Sequence, residues 1–205
     1  MKLSDRAAHA DSLLAFESAW RTQGVTAGMD EAGRGPLAGP VVAACVVMPP
    51  EPVLPWVDDS KKLSEKRREA LYDEILQTAL QVGVGIVSAA DIDRLNILEA
   101  TRAAMRKAAD QVCADFFLID AVTSLSLAGQ EVPIIRGDAQ SYSIAAASIV
   151  AKVTRDRLLR EMDARYPGYG FAQHKGYGTA AHIEALKKLG PCPEHRRSFI
   201  GHFVV

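Results

Sequence analysis

A short apolar run, Val25 to Met29, ends in two adjacent carboxylates, Asp30 and Glu31. A turn containing Gly33, Arg34, Gly35 and Pro36 follows, and a second apolar run, Val41 to Met48, comes soon after. The pattern reads as strand, charged turn, strand. Both runs are mostly apolar, as expected of strands covered on both faces, so the acids stand at the mouth of a buried strand. An ordinary polar hairpin turn would account for the glycines but not for that placement. A carboxylate pair beside a glycine-flanked arginine suits a metal site next to bare backbone, because glycine lets a ligand approach the main chain closely. Gly33 to Ala38 also fits a G-x-G-x-x-A dinucleotide pattern. That pattern requires a helix directly after the turn, and here a proline and a β-branched run follow. The lysine and hydroxyl residue of a phosphate-binding P-loop are missing as well.

The rest of the chain alternates. Residues 5–23 read as a helix, with Leu13, Leu14, Phe16 and Trp20 at roughly helical spacing and Gly24 as its stop. Pro49 to Pro55 is a loop. Ser64 is placed to cap a helix running to about Leu80. Gln81 to Ser88 reads as a strand, and a helix is expected over about Leu95 to Cys113. Phe116 to Ile119 is a short strand ending in Asp120, and Val132 to Ile135 another, followed by Arg136, Gly137 and Asp138. A long helix is expected from Ala139 to Arg165, its first turns rich in small residues that allow close packing on a sheet. Pro167 to Gly170 breaks it. Thr179 caps a helix over Ala180 to Leu189, ended by Gly190 and Pro191. Together these elements predict one α/β domain with a central mixed β-sheet flanked by helices and a small C-terminal helical part.

A chain of 205 residues suits a single domain, and 48% hydrophobic residues supply an ample core. The net charge of −1 names no partner. Basic clusters occur locally at Lys61–Lys62, Lys66–Arg68, Lys187–Lys188 and Arg196–Arg197; taken singly, such clusters are usually solvated helix faces. Three cysteines, Cys45, Cys113 and Cys192, are odd in number and far apart, which argues for a reducing compartment. No run approaches the length of a membrane span and no apolar leader is evident. The expectation is a soluble, cytoplasmic protein.

Asp30, Glu31 and Asp120 end apolar strands, and Asp138 follows one and stands at a helix N-terminus, where a carboxylate is favoured. Strand ends sharing one sheet edge bring such residues together. Four converging acids repel one another, and divalent cations relieve that repulsion. All-oxygen ligation fits Mg²⁺ or Mn²⁺ rather than zinc. Two such ions about 4 Å apart are an arrangement known for phosphodiester hydrolysis. Successive strand residues point to opposite faces, so Asp30 and Glu31 converge only if the strand ends between them. Cys192, His195 and His202 have irregular spacing and make a weak zinc set.

These residues resemble the ribonuclease HII family, the type 2 ribonucleases H, over nearly the whole chain from about Gly24. The resemblance is carried by Asp30 to Val42, by Asp59-Ser60-Lys61-Lys62-Leu63, by Ile119-Asp120, by Gly137-Asp138 with Ile144 to Asp156, and by His174-Lys175-Gly176-Tyr177-Gly178-Thr179. One departure is Ala121, where the family usually has glycine after the third acid. The resemblance implies an RNase H-like fold, with residues 1–24 as an N-terminal helix and lead-in and 25–205 as the catalytic domain. It implies a metal-dependent endoribonuclease that hydrolyses the RNA strand of RNA/DNA hybrids. Such an enzyme also nicks DNA duplexes 5′ to embedded ribonucleotides, as in ribonucleotide repair, leaving 3′-hydroxyl and 5′-phosphate ends. Carried over by position, Asp30, Glu31, Asp120 and Asp138 are the catalytic and metal-binding acids, with two Mn²⁺ or Mg²⁺ ions expected during catalysis. Gly33, Arg34 and Gly35 match the loop that senses the ribose 2′-hydroxyl. Tyr177 matches the tyrosine that stacks on the following deoxyribose, and Ser60, Lys61 and Lys62 look like phosphate contacts. A monomer is expected.

The residues read by themselves agree. A 2′-hydroxyl is what separates RNA from DNA at one site, an aromatic on a glycine-flanked loop is a stacking platform, and lysines and arginines hold phosphates. A non-catalytic binder of hybrid duplexes would favour fewer acids. A phosphatase or transferase for small phosphate esters suits the spread of basic clusters less well than a long polyanion does.

Overall fold

The computed structural model describes residues 3–203. The expected domain bounds therefore reach, at residues 1–2 and 204–205, outside the described residues. Two N-terminal helices, α1 (Leu3–Phe16) and α2 (Ser18–Arg21), precede β1 (Thr26–Ala32) and β2 (Val41–Val47). Then come α3 (Glu65–Thr78), β3 (Gln81–Val87), α4 (Ala89–Leu95), α5 (Ile97–Ala109), β4 (Phe116–Asp120) and β5 (Gln130–Ile134). The long α6 (Tyr142–Arg165) and three shorter helices, α7 (Phe171–His174), α8 (Ala180–Leu189) and α9 (Arg197–Ile200), complete the chain. The strands form one mixed sheet in the order β3-β2-β1-β4-β5. β2 runs antiparallel to both β1 and β3, while β1, β4 and β5 are parallel.

Alternation along the strands decides what each face buries. Ala27 and Met29 of β1 join Phe117 and Ile119 of β4 in a core with Ala104, Met105 and Ala108 of α5. Gly28 faces the other way, against Ser143 and Ile144 of α6. Leu118 of β4 packs with Ile144 as well. The small residues Ala145, Ala146 and Ala147 let α6 lie close over Ala44 and Val46 of β2. Asp30 and Asp120 share the parity of Gly28 and Leu118, so both belong to the α6 face. The parallel register pairs Met29 with Ile119; one step further it sets Asp30 beside Asp120.

Several elements differ from the sequence reading. The N-terminal helix is broken at Glu17, whose buried carboxylate is drawn inward to Ser141 and Ser143. The helix expected over about Leu95 to Cys113 is α5, Ile97–Ala109, and a separate helix, α4, precedes it and meets it at Asn96. Asn96 takes φ 72° and caps α5 by accepting from the amides of Leu98 and Glu99. α6 begins at Tyr142, not Ala139. Residues Gly137–Ala139 form a 3₁₀ turn, and Ser141 caps α6 by accepting from the Ile144 amide. β1 continues through Ala32, so it does not end between Asp30 and Glu31. The caps read at Ser64 and Thr179 are present and accept from Arg67 and His182.

Ala121 follows Asp120 at φ 53°. The left-handed region costs a residue with a Cβ roughly 1–2 kcal/mol, while glycine adds conformational freedom to the unfolded chain. Ala121→Gly is therefore expected to leave stability unchanged or to raise it by up to about 1 kcal/mol. Urea unfolding checks this, and a loss of more than about 1 kcal/mol would show that the methyl group makes contacts outweighing the backbone strain.

Candidate functional site

β1, β4 and the 3₁₀ turn before α6 deliver three carboxylates to one point. One oxygen each of Asp30, Asp120 and Asp138 lies within 4.8 Å of the others. Asp30 and Asp138 are buried and Asp120 half-buried. Asp120 Oδ1 accepts from the Gly137 amide at 2.8 Å, which ties the strand end to the turn that carries Asp138. Asp30 Oδ1 accepts from the Glu31 amide at 2.7 Å. Burial pushes the Asp30 carboxyl well above the usual carboxylate range, with the charges of Glu31 and Asp120 adding to it. Asp120 is raised by burial and by Asp138, against the Gly137 hydrogen bond. Glu31 is raised by burial and by Asp120, against Arg34. Such a cluster, costly when fully charged, with oxygen donors alone, fits a hard divalent cation such as Mg²⁺ or Mn²⁺.

Glu31 falls on the opposite face of β1 by strand alternation and is outside the set of three. It nonetheless lines the same cleft, of about 230 Å³, with Asp30, Asp120, Lys61 and Tyr177. Arg34 Nη1 reaches Glu31 Oε1 at 3.5 Å. Lys61 Nζ donates to Asp138 Oδ2 at 3.1 Å. Burial alone would lower the Lys61 ammonium, but the hydrogen bond and charge of Asp138 outweigh it and raise its pKa. Ser60 also lines the cleft, its amide donating to Ser148 Oγ. Lys62 turns away and donates to Asp58 at 3.1 Å. A larger cavity, about 570 Å³, lies at the other end of β1 and β4 among Val25, Arg106, Cys113 and Asp115. Among the described residues the convergent metal-ligating group is the acid set, so chemistry rather than volume locates the site.

Two glycine-spaced loops form the wall of the cleft, and two buried arginines hold them. Arg196 is 0% exposed and donates to the carbonyls of Gly33, Arg34 and Gly39. Arg155, 1% exposed, donates to the carbonyls of Ala38, Pro40 and Lys175. Burial lowers these guanidiniums to about 9 and about 10, so both remain cationic at neutral pH. Gly33 sits at φ 101°, where a Cβ would strike the Arg155 side chain. Gly176 sits at φ 80°, where a Cβ would strike the Ala38 carbonyl. The Leu37 amide donates to the Gly176 carbonyl, joining the two loops directly. Tyr177, on the second loop, is 47% exposed.

Sequence reasoning named Arg196 only within a basic cluster and His195 only within a weak zinc set, and it gave no role to Arg155, Glu17 or the buried His182. Of the weak zinc set, Cys192 and His195 touch at 3.1 Å, but His202 lies exposed.

Residues 27–202 match the family model described as Ribonuclease HII. A curated protein named Ribonuclease HII from Ruminiclostridium cellulolyticum is 55% identical over 196 residues, covering 94% of this chain and 77% of that protein. One of the same name from Syntrophotalea carbinolica is 54% identical over 194 residues, 93% of each chain. Among solved structures, the PCNA:RNase HII complex from Archaeoglobus fulgidus aligns with TM-score 0.75 and 28% identity over 87% of this chain and 96% of that one. The ribonuclease H2 from Pyrococcus horikoshii OT3 aligns with TM-score 0.72 and 27% identity, over 84% and 92%.

Proposed function

We propose a function from one premise: the chain belongs to the ribonuclease HII family. It is a hydrolytic endoribonuclease that acts on the RNA strand of RNA/DNA hybrids. The finer reading is that it also nicks duplex DNA 5′ to single embedded ribonucleotides, leaving 3′-hydroxyl and 5′-phosphate ends. The observation that carries this reading is the convergence of Asp30, Asp120 and Asp138 beneath a glycine loop whose carbonyls are turned inward.

In this reading Asp30, Asp120 and Asp138 hold divalent cations, Mg²⁺ or Mn²⁺, and Glu31 completes the site from the neighbouring face. When bound, such ions activate water and neutralise charge on the leaving oxygen. The chain's own residues select the bond to be cut. Arg196 draws in the carbonyls of Gly33 and Arg34. Across a trans peptide the next amide points the opposite way, so the N–H groups of Arg34 and Gly35 face away from Arg196. Gly33, Arg34 and Gly35 line the cleft, and those amides are placed to meet a ribose 2′-hydroxyl. Tyr177 stacks on the sugar that follows. Lys61, Ser60 and, at the margin, Lys62 meet phosphates. Residues 25–205 form the catalytic domain, and the lead-in, residues 1–24, braces it through Glu17. The three unpaired cysteines support a reducing, cytoplasmic setting. A purely binding role is disfavoured because three converging carboxylates would repel a phosphate backbone.

The test is cleavage of a labelled DNA duplex carrying one ribonucleotide. We expect a single nick on its 5′ side with Mg²⁺ or Mn²⁺, none with zinc or excess EDTA, and no cutting of the all-deoxy duplex. Undiminished cutting in excess EDTA would overturn the metal-dependent reading.

A further inference from the structure

Three of the five histidines surround the Tyr177 loop, and their hydrogen bonds fix where each proton sits. His174 Nδ1 lies 3.2 Å from the Gly176 amide, so it accepts; its Nε2, 2.8 Å from the Tyr169 carbonyl, must carry the proton. His195 Nδ1 lies 3.0 Å from the Cys192 amide and also accepts, which leaves the proton on Nε2. That nitrogen is 3.1 Å from His182 Nε2. His182 Nδ1 is 2.9 Å from the Tyr177 carbonyl and must donate to it, so His182 Nε2 is free to accept from His195. The directions agree at every link. The chain runs Cys192 N–H to His195, His195 to His182, His182 to the Tyr177 carbonyl. His174 stacks on His182 with ring centroids 4.2 Å apart and takes the preceding amide. His182 and His195 are buried, and Phe171 packs edge-on against His182.

We infer that His174, His182 and His195 form a neutral clamp that positions Tyr177 and thereby sets the preference for a ribonucleotide followed by DNA. The inference rests on the reading of Tyr177 as the stacking residue. The clamp holds two main-chain groups of the Tyr177 loop: the amide of Gly176, the residue before Tyr177, and the carbonyl of Tyr177 itself. Holding both fixes the course of the loop that carries the exposed ring. None of the three imidazoles lines the acid cleft, so they act through Tyr177 and not on the reacting groups. The positions of the protons also forbid charging the chain in place, because a proton added to His182 Nε2 would face the His195 donor.

The experiment is the ratio of single-turnover cleavage rates on two duplexes, one with a single ribonucleotide in DNA and one a continuous RNA/DNA hybrid. Tyr177→Ala tests the underlying reading and is expected to lower this ratio roughly tenfold, the size of a lost stacking contact. His182→Phe, which fills the space without the hydrogen bonds, is expected to lower it in the same direction. His182→Asn keeps a donor at the position of Nδ1 and should restore most of the ratio. Adding His182→Phe to Tyr177→Ala should lower it no further, because both act through one ring. A wild-type ratio in His182→Phe alongside a lowered one in Tyr177→Ala overturns the clamp and spares the reading of Tyr177. An unchanged ratio in Tyr177→Ala overturns that reading and the clamp with it. Should His182→Phe fail to fold, His195→Asn cuts the middle link while keeping an acceptor for the Cys192 amide, and the same lowering is expected. In the wild-type protein, nitrogen NMR should find the proton on Nδ1 of His182 and on Nε2 of His174 and His195; the opposite tautomer at His182 overturns the inference.

Discussion

Asp30→Asn is expected to raise the thermal midpoint of the metal-free protein while lowering cleavage of a ribonucleotide-containing duplex by roughly a thousandfold, the order of several kcal/mol of lost charge stabilisation. The two effects share one cause. Three carboxylates converge within 4.8 Å of one another in a largely buried setting, and Asp30, Asp120 and Glu31 all hold their protons more tightly than free carboxylates do. A carboxyl whose pKa is raised in the folded state favours folding at low pH, and that contribution is lost as pH rises through the raised value. Without a cation, the cluster therefore grows less stable as pH rises. Asparagine removes one charge and keeps an oxygen to accept the Glu31 amide that Asp30 now binds. Mg²⁺ or Mn²⁺ should achieve the same relief in the wild type and raise its midpoint more than that of the variant. Thermal unfolding at pH 7, with EDTA and with added ion, checks both halves. A lower midpoint for Asp30→Asn in EDTA would show the Asp30 charge to be stabilising and would sink the argument. The trade of stability for function is the usual one at active sites.

What could be read in the sequence was what depends on neighbours along the chain. The capping of α3 by Ser64 and of α8 by Thr179 follows from side chains three residues from the amides they bind. The mixed sheet follows from apolar runs, and the acids at strand ends follow from where those runs stop. The split of Glu31 from the other acids was half legible. Strand alternation required it unless β1 stopped at Asp30, and pairing of Glu31 with Ala43 on β2 carries the strand onward. Contacts across long separations were not legible. Glu17 breaks the first helix to bind groups 124 and 126 residues away. Arg196 meets Gly33 across 163 residues, and Arg155 meets Pro40 across 115. The partners of both arginines are main-chain carbonyls, which no residue type announces. The roles of His174 and His182 were not legible because they bond to main-chain groups, and that of His195 because it acts through Cys192 and His182.

Arg196 is the residue whose loss should separate binding from cutting most cleanly. Its fork takes the carbonyls of Gly33 and Arg34 at 2.6 and 2.9 Å and that of Gly39 through two nitrogens. Arg196→Met keeps the apolar length but leaves these buried carbonyls without donors; at roughly 1–3 kcal/mol for each unsatisfied group, less the relief of no longer burying a charge, a destabilisation of about 3 kcal/mol is expected. Arg196→Lys keeps the charge, but an ammonium cannot span the fork of a guanidinium. The fold should survive, with the Gly33–Gly35 loop free to shift. In the proposed reading its amides meet the ribose only while its carbonyls are held inward, and a displacement near 1 Å costs roughly a hundredfold in rate. The proposed phosphate contacts lie elsewhere in the cleft, so affinity for an all-deoxy duplex should stay near that of the wild type. Single-turnover rates on a single-ribonucleotide duplex, set against duplex affinity at matched salt, give the split. Wild-type turnover by Arg196→Lys would mean that the loop keeps its shape without the fork, and an equal fall in affinity and rate would mean that Arg196 supports the whole cleft and not its reading of the 2′-hydroxyl.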